Sequence, residues 1–267
     1  VRLIVGSEGT LAIVTKIKVK LIPHPETQRT FLVLFDGPAA ALDCAAAIGR
    51  SSVIPAALEF MDERVIRCAL AYQPMPWLEG AKSALLIELD GARLQVDADT
   101  SHLRKVLAAK KCLQVREATE EVEREQLWEV RRALSPATLR VSPHKISEDI
   151  TVPRSKQLDV LRIMEDLEKK YGIEIIAFSH AGDGNFHVNF MLDEKKPEQK
   201  KMIDDAVREL FERAIALGGT LSGEHGIGNT KSRYLGIEYG QAEIEMMKKV
   251  KVLWDPLGLL NPGKIFP

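Results

Sequence analysis

Two histidines flank an Asp-Gly pair in the stretch His180-Ala-Gly-Asp-Gly-Asn-Phe-His187. Asp-Gly between apolar segments predicts a tight hairpin, because both central positions of a type I′ turn need φ > 0. A turn centred on Asp183-Gly184 places His180 opposite His187, with Cβ atoms about 4.5–5.5 Å apart on one face. The spacing therefore predicts two imidazoles that share one metal ion. The alternative is a pair of hydrogen-bonded histidines in a half-exposed hairpin.

A candidate for the third ligand lies in a glycine-rich stretch, Gly223-Glu-His-Gly-Ile-Gly228. Its Glu224-His225 pair is bracketed by glycines, which let the backbone approach a ligand closely. Three of the six histidines of the chain lie in these two motifs, which favours a functional site. A solvated glycine-rich turn is the alternative explanation for the second motif.

Composition and charge narrow the class of protein. The chain has 267 residues, enough for one large domain or two smaller ones, and its 37 basic and 38 acidic residues give no reason to expect a nucleic-acid partner. Cys44, Cys68 and Cys112 are isolated, which predicts a reducing, cytoplasmic compartment and excludes a disulfide or zinc-finger framework. No apolar run approaches the length of a membrane span. Because Val1 stands inside an apparent strand, we expect the chain to be a piece of a longer protein.

Hydrophobic periodicity predicts an α+β fold with helices packed on an antiparallel sheet, because helices alternate with strands that include hairpins. The predicted strands are Val1–Val5, Leu11–Leu21, Phe31–Phe35, Ala84–Leu89, Leu113–Arg116 and Ile146–Val152, followed by a hairpin over Ile173–Leu192. The predicted helices are Pro38–Arg50, Leu94–Ala109, Glu120–Leu134, one beginning after Pro153, Pro197–Leu217 and Gln241–Leu253.

Four motifs occur in one order along the chain: Gly6-Ser-Glu-Gly-Thr-Leu-Ala-Ile-Val14, the His180–His187 stretch, Gly223-Glu-His-Gly-Ile-Gly228 and Asn261-Pro-Gly-Lys264. This pattern resembles the C-terminal domain of the FAD-linked oxidases. That family includes D-lactate dehydrogenase, D-2-hydroxyglutarate dehydrogenase and the D subunit of glycolate oxidase. The resemblance covers essentially the whole chain.

The resemblance implies a two-domain enzyme of which this chain is the second part. Residues 1–22 are expected to be the last strands of a truncated FAD-binding domain. Residues 23–267 are expected to form the substrate and metal domain, with a ferredoxin-like antiparallel sheet and a tail, residues 254–267, that returns to the flavin. Since the pyrophosphate-binding loops of such enzymes lie upstream, we expect the fragment alone to be inactive.

The resemblance also implies roles for the motif residues. His180, His187 and Glu224 correspond to ligands of a divalent metal, usually zinc, and leave open positions as in a catalytic site. His225 corresponds to the general base, since imidazoles titrate near neutral pH. The residues expected to contact FAD are Gly6, Ser7, Gly9, Thr10, Ile13, Val14 and Asn261.

Three further residues are expected at the substrate. Arg131, in the helix Glu120–Leu134, resembles a clamp for the substrate carboxylate; the alternative is a surface arginine beside Arg132. Lys145 resembles a lysine near the substrate, and a solvated strand end is the alternative. Asn189 shares a strand face with His187 and is expected to hydrogen-bond the substrate.

The implied reaction is the metal-assisted oxidation of a D-2-hydroxy acid to the 2-oxo acid, with hydride transferred to N5 of FAD. The alternative is a metal-dependent hydrolase or oxygenase, because two histidines and one carboxylate also suit those chemistries. The expected partners are a small 2-hydroxy acid and an electron acceptor, which is a quinone, a cytochrome, an electron-transfer flavoprotein or an iron–sulfur subunit. The protein is expected to be a homo-oligomer or a subunit of a complex, in the cytoplasm or peripheral at a membrane.

Overall fold

The computed structural model describes residues 1–193 and 197–266, within which seven strands form one antiparallel sheet with α-helices packed on both of its faces. The strands are β1 (Thr27–Phe35), β2 (Ala57–Asp62), β3 (Ser83–Gly91), β4 (Gln114–Ala118), β5 (His144–Thr151), β6 (Ile175–His180) and β7 (Asn185–Leu192). The helices are α1 (Pro38–Gly49), α2 (Glu63–Tyr72), α3 (Arg93–Ala108), α4 (Glu121–Thr138), α5 (Gln157–Tyr171), α6 (Pro197–Ala216), α7 (Leu235–Glu238) and α8 (Gln241–Trp254).

The strand order, β4-β1-β3-β2-β6-β7-β5, contains two related units. The first four strands have the ferredoxin-like order that the family resemblance implies. The second unit, β5-α5-β6-β7-α6, repeats this arrangement with three strands, and an isolated bridge between Thr151 and Thr220 lies beside β5 where a fourth strand would stand. Antiparallel pairing of β2 with β6 joins the units. The α+β fold class is confirmed.

Both faces of the sheet are covered, which explains its continuous apolar strands. In β1, Phe31, Val33 and Phe35 pack into one core with α1, α3, α5 and α6. Leu32 and Leu34 point to the opposite core, under α2 and α4. Alternation with period two sends neighbouring residues to opposite faces, so a strand between two cores is apolar throughout. The face under α2 and α4 also carries the candidate site.

The first two predicted strands are wrong. Residues 1–5 form turns and residues 12–26 have no regular structure. A strand is held by hydrogen bonds to a neighbouring strand, and the described part of the chain offers none here. Ile17, Val19 and Leu21 are accordingly 77%, 66% and 84% exposed.

The strand β2 and the helix α2 are absent from the sequence prediction. Their junction is marked by Asp62, whose carboxylate accepts a hydrogen bond from the amide of Val65 (3.0 Å) and so caps the helix. The omission matters for function, because β2 borders the strand that ends in His180.

The predicted register of the histidine hairpin is also wrong, by two residues. His180 pairs with Asn185, and His187 lies opposite Phe178. The connection is a longer turn, in which the amides of Asp183 and Gly184 donate to the carbonyl of His180 (3.2 and 2.9 Å). Gly184 has a positive φ of 86°, whereas Asp183 does not, so the type I′ requirement is not met. Because the shift is even, the two histidines still share one face, as diagonal neighbours.

Within the described residues, no helix is long and apolar enough to cross a membrane.

Candidate functional site

The side chains of His180, His187 and Glu224 converge at the end of the β6–β7 hairpin. His180 Nε2 lies 3.1 Å from His187 Nε2, and Glu224 Oε1 lies 3.7 and 3.3 Å from these two atoms. Ligands about 2.1 Å from a tetrahedral zinc ion are about 3.4 Å from one another. The three atoms therefore have the spacing of ligands around one ion, and among the described residues this is the group of histidine and acidic side chains that could hold a metal.

The two imidazoles differ in proton affinity. Burial, followed by the nearby charge of His180, lowers the pKa of His187 to about 4. The hydrogen bond to Glu59 raises the pKa of His180. His187 is therefore the imidazole that stays neutral near pH 7, and a divalent ion would bind a neutral imidazole nitrogen of this kind.

Glu59 is a functional neighbour that the sequence analysis missed. It lies opposite His180 in the β2–β6 pairing, and its side chain is 7% exposed. Its Oε1 accepts a hydrogen bond from His180 Nδ1 (2.7 Å), and its Oε2 accepts one from Arg131 Nε (2.6 Å). Burial acts to raise the pKa of Glu59, but the bonds to His180 and Arg131 outweigh it and lower that pKa. The available signal was a single acid in the apolar run Leu58-Glu-Phe-Met61.

Arg131 projects from α4 toward this cluster. Its guanidinium carbon lies 4.6 Å from the ring centre of Phe178, and its side chain is 18% exposed. Within residues 1–193 and 197–266, Glu59 is its hydrogen-bond partner, and the two terminal amino groups of the guanidinium have none. Arg132, by contrast, pairs with Glu125 at the surface. The structure thus places Arg131 at the cluster, with its planar fork available to a ligand.

The loop that carries Glu224 and His225 is bound to the sheet by Asp149. One oxygen of this fully buried carboxylate, Oδ2, accepts hydrogen bonds from the amides of Gly223, Glu224 and His225 at 2.8, 2.7 and 3.0 Å. Asp149 lies opposite His187 in the β5–β7 pairing. The pairing of Asp149 with His187 therefore brings the loop that Asp149 binds over the two histidines.

A buried lysine completes this anchor. Lys231 Nζ donates to the Asp149 carboxylate and to the carbonyls of Asp149 and Leu221, both at 2.8 Å. Burial acts to raise the pKa of Asp149, yet the hydrogen bonds from Lys231, Glu224 and His225 hold it at about 2. Gly223 is required in this loop, since a Cβ there would lie 2.4 Å from Asn185 Oδ1. The sequence analysis missed both Asp149 and Lys231.

His225 lies beside the group of His180, His187 and Glu224 and not within it. Its ring stacks on that of His187 with centroids 5.3 Å apart, and its Nδ1 is 3.6 Å from Asp149 Oδ1. The side chain is 51% exposed. It therefore borders the open side of the cluster, where a bound molecule could meet it.

Asn189 and Lys145 lie on the same sheet face, with their polar groups engaged elsewhere. The Asn189 amide donates to the carbonyl of Ile176 (3.1 Å) and accepts from Ser147 Oγ (2.8 Å). Lys145 Nζ donates to Thr138 Oγ1 of α4 (2.9 Å), and burial lowers its pKa. Lys145 stands four positions before Asp149 in β5, which is about 13 Å at the usual rise of a strand. The structure does not bring these two side chains into the ligand group.

The N-terminal motif, the glycine-rich loop and the tail meet at Glu8. The two carboxylate oxygens of Glu8 accept hydrogen bonds from the amides of Ile227 (2.6 Å) and Gly228 (2.7 Å). The Asn261 side chain donates to the carbonyl of Glu8. Gly226 must lack a side chain here, because its Cβ would lie 2.7 Å from the Glu8 carboxylate.

The residues expected to contact FAD line two adjoining cavities beside this junction. One, of about 440 Å³, is bordered by Ser7, Gly9, Ile13, Val14 and Asn261, with Ile4, Ala12, Leu259 and Leu260. The other is bordered by Gly6, Ser7 and Thr10, and Thr10 Oγ1 donates to the carbonyl of Ser7 (2.7 Å). Apolar walls with a few polar groups suit a planar aromatic cofactor ring. The residues present therefore fit one side of a flavin.

The chain is similar over nearly its full length to curated proteins named as a glycolate oxidase subunit and as D-lactate dehydrogenases. It is 40% identical to the glycolate oxidase subunit GlcD of Bacillus subtilis over 99% of the chain and 56% of that protein. It is 31% identical to the D-lactate dehydrogenase of Archaeoglobus fulgidus (98% and 57%) and to D-lactate dehydrogenase [cytochrome] 1, mitochondrial, of Saccharomyces cerevisiae (99% and 46%). The chain thus spans about half the length of these curated relatives.

Solved structures share the fold at low sequence identity. p-Cresol methylhydroxylase superposes with a TM-score of 0.70 at 16% identity, over 91% of this chain and 53% of that one. Alkyldihydroxyacetonephosphate synthase gives 0.66 at 19%, over 98% and 48%. The family described as "FAD linked oxidases, C-terminal domain" matches residues 24–265. The chain, with its histidine hairpin and Gly-Glu-His-Gly loop, belongs to this family of FAD-linked oxidases.

Proposed function

We propose that the protein containing this chain oxidises a D-2-hydroxy acid of the glycolate, lactate or 2-hydroxyglutarate type to the 2-oxo acid, with FAD and a divalent metal ion, preferably zinc. The observation that carries the proposal is the ligand group of His180, His187 and Glu224, with Arg131 on one side and His225 on the other. The named activities of the relatives, glycolate oxidase and D-lactate dehydrogenase, support the substrate class.

The three ligand residues would hold the metal ion, and the residues around Glu8 and Asn261 would contact the flavin. When bound, FAD accepts a hydride equivalent from the substrate carbon, and the divalent ion makes the substrate hydroxyl more acidic. The terminal amino groups of Arg131 bind the substrate carboxylate as a planar fork and so orient the hydroxyl-bearing carbon. An imidazole nitrogen of His225 takes the hydroxyl proton.

Asp149 supports both metal binding by Glu224 and proton removal by His225. By holding three consecutive amides of the loop, it fixes the backbone of Glu224 and His225 relative to the two histidines. Lys145 and Asn189 are proposed to border the substrate from the sheet face that also carries His187.

Residues 1–22 are proposed to complete an FAD-binding domain, and residues 254–267 to close on the flavin. The contacts that Glu8 makes with Ile227, Gly228 and Asn261 support a common position for these segments. The reduced flavin then needs an electron acceptor, which we propose to be a quinone, a cytochrome, an electron-transfer flavoprotein or an iron–sulfur subunit. The protein would act as a homo-oligomer or a subunit of a complex, in the cytoplasm or peripherally at a membrane.

The test is turnover of the full-length protein with an artificial dye as acceptor, across matched D- and L-2-hydroxy acids. We expect turnover of one or more D acids or of glycolate, and loss of turnover after chelation that added zinc restores. The hydrolase or oxygenase alternative is not favoured in a family of FAD-linked oxidases. Ester hydrolysis or oxygen-dependent hydroxylation with no change in the flavin spectrum would reinstate it.

A further inference from the structure

Glu59 is hydrogen-bonded to two groups of different function at once. Its Oε1 meets His180 Nδ1 at 2.7 Å, and its Oε2 meets Arg131 Nε at 2.6 Å. The carboxylate is 7% exposed, and it comes from β2, in the other half of the sheet from His180. A carboxylate with this little exposure is tolerated only when it is paired. Here both partners belong to the proposed site.

Each of these hydrogen bonds also orients the opposite end of the side chain that donates it. An N–H donated from Nδ1 to a carboxylate leaves the other imidazole nitrogen, Nε2, to bind a metal and holds the ring in place. Because the guanidinium is planar and rigid, an anchor at Nε also fixes the plane and orientation of its two terminal amino groups. The ring face of Phe178, 4.6 Å from the guanidinium carbon, further limits the rotation of Arg131.

We propose that Glu59 is a positioning residue that fixes the metal-binding nitrogen of His180 and the carboxylate fork of Arg131 through one shared anchor. This inference rests on the proposed function, because it takes His180 as a metal ligand and Arg131 as the substrate clamp. It predicts that a single change at Glu59 weakens the binding of metal and of substrate, although Glu59 contacts neither.

The experiment uses the full-length, FAD-loaded protein and measures two affinities. Zn²⁺ affinity is measured by competition with a chelating dye, and D-lactate affinity is measured on chelator-treated protein from the perturbation of the flavin spectrum. In Glu59→Gln, the side-chain amide has only one acceptor oxygen. Its NH₂ group, which is a donor, then faces the N–H donor of either His180 or Arg131. We expect Zn²⁺ affinity to fall about 10- to 100-fold, and D-lactate affinity to fall at least about tenfold, as for one lost charge-assisted hydrogen bond.

Glu88→Gln is the matched control. Glu88 lies on the neighbouring strand β3, and its carboxylate also binds α4, by accepting from Trp128 Nε1 at 2.6 Å. Trp128 is one turn before Arg131, but Glu88 contacts neither Arg131 nor the histidines in the hydrogen bonds of the described residues. A general loosening of α4 would lower both affinities in this control as well, whereas the proposal predicts that both stay at the wild-type value.

The outcomes separate this inference from the proposed function. Wild-type protein that binds neither Zn²⁺ nor D-lactate contradicts the proposed function and the inference with it. Normal wild-type binding with only one affinity reduced in Glu59→Gln, or with neither reduced, overturns the shared anchor alone. If Glu59→Gln does not fold by circular dichroism, Glu59→Asp takes its place, since it keeps the charge but withdraws the carboxylate from both partners, and the same two losses are expected.

Discussion

Replacing Asp149 by asparagine tests how the loop of Glu224 and His225 is held over the histidines. The substitution keeps the shape of the side chain but removes its charge and one acceptor oxygen. Lys231, 4% exposed, then loses the nearer of its two buried carboxylates and keeps Glu148 at 3.6 Å, while some of the amides of Gly223, Glu224 and His225 lose their acceptor. Breaking a buried pair by removing one partner costs about 3–5 kcal/mol. We expect the free energy of unfolding to fall by that amount and Zn²⁺ affinity to fall with it.

The pKa of Asp149 gives an independent measure of the same interaction. An ordinary aspartate titrates near 3.8, and the folded protein holds this one at about 2. Unfolding therefore takes up a proton between these values. At 1.36 kcal/mol per tenfold change, the charged form stabilises the fold by about 2.4 kcal/mol. Because the folded pKa is the lower one, this stabilisation is complete above about pH 4 and is lost as the pH falls toward 2.

The assay is urea unfolding of the full-length wild type and Asp149→Asn, followed by circular dichroism between pH 7 and pH 3. We expect the difference in unfolding free energy to be largest at neutral pH and to shrink below about pH 4. Lys231→Met, which removes the other partner, should be destabilised similarly at neutral pH. A difference below about 1 kcal/mol at neutral pH, within the range of an ordinary surface change, would show that Asp149 does not anchor the loop.

Three further predictions concern the residues of the site. Arg131→Lys replaces a planar fork with a point charge, so we expect kcat/KM in steady-state kinetics to fall at least about tenfold, or about 1.4 kcal/mol. The control Arg132→Lys should keep the wild-type rate. Equal kinetics for the two variants would exclude Arg131 from the substrate site. His180→Ala or Glu224→Ala should lower metal content together with turnover, and elemental analysis that finds full occupancy would remove the residue from the ligand set. His225→Asn should keep metal and flavin but lose about 10²–10⁴ of turnover, and a near-normal rate would exclude it as the base.

Most of the helices and strands were predictable because their signals are local, although β2, α2 and α7 were not found. The predicted helices Leu94–Ala109, Pro197–Leu217 and Gln241–Leu253 lie within one residue of those in the structure. The prediction ended α4 at Leu134, yet the helix continues through Pro136 to Thr138. A proline disfavours a helix interior by about 3 kcal/mol, and the two residues that follow it, Ala137 and Thr138, are buried.

The wrong predictions involve information that is not local. The alternation of Leu11–Leu21 predicted a strand, but a strand also needs a partner, and periodicity does not reveal whether one is present. The hairpin motif correctly predicted that His180 and His187 share one face, because a register shift by an even number of residues leaves the face unchanged. The register itself depends on the conformation of the turn.

The residues that hold the site were missed because tertiary pairing brings them to it. Glu59 is 121 residues from His180 in sequence, and Asp149 is 76 residues from His225. A single acid in an apolar strand indicates a buried, paired carboxylate, but its partner cannot be read from spacing. The residues His180, His187, Glu224 and His225 could be predicted from the sequence because they lie in two short glycine-rich motifs.

The most direct test of the central claim is the anaerobic reduction of the flavin in the full-length protein. Chelator-treated enzyme is mixed with D-lactate or glycolate, without and with added Zn²⁺, and the flavin absorbance is followed. We predict rapid bleaching only when zinc is restored, no bleaching with L-lactate, and none in zinc-restored Glu224→Ala. Bleaching that is equally fast without metal, or in the Glu224→Ala variant, would contradict the proposal that His180, His187 and Glu224 form a metal centre for 2-hydroxy acid oxidation.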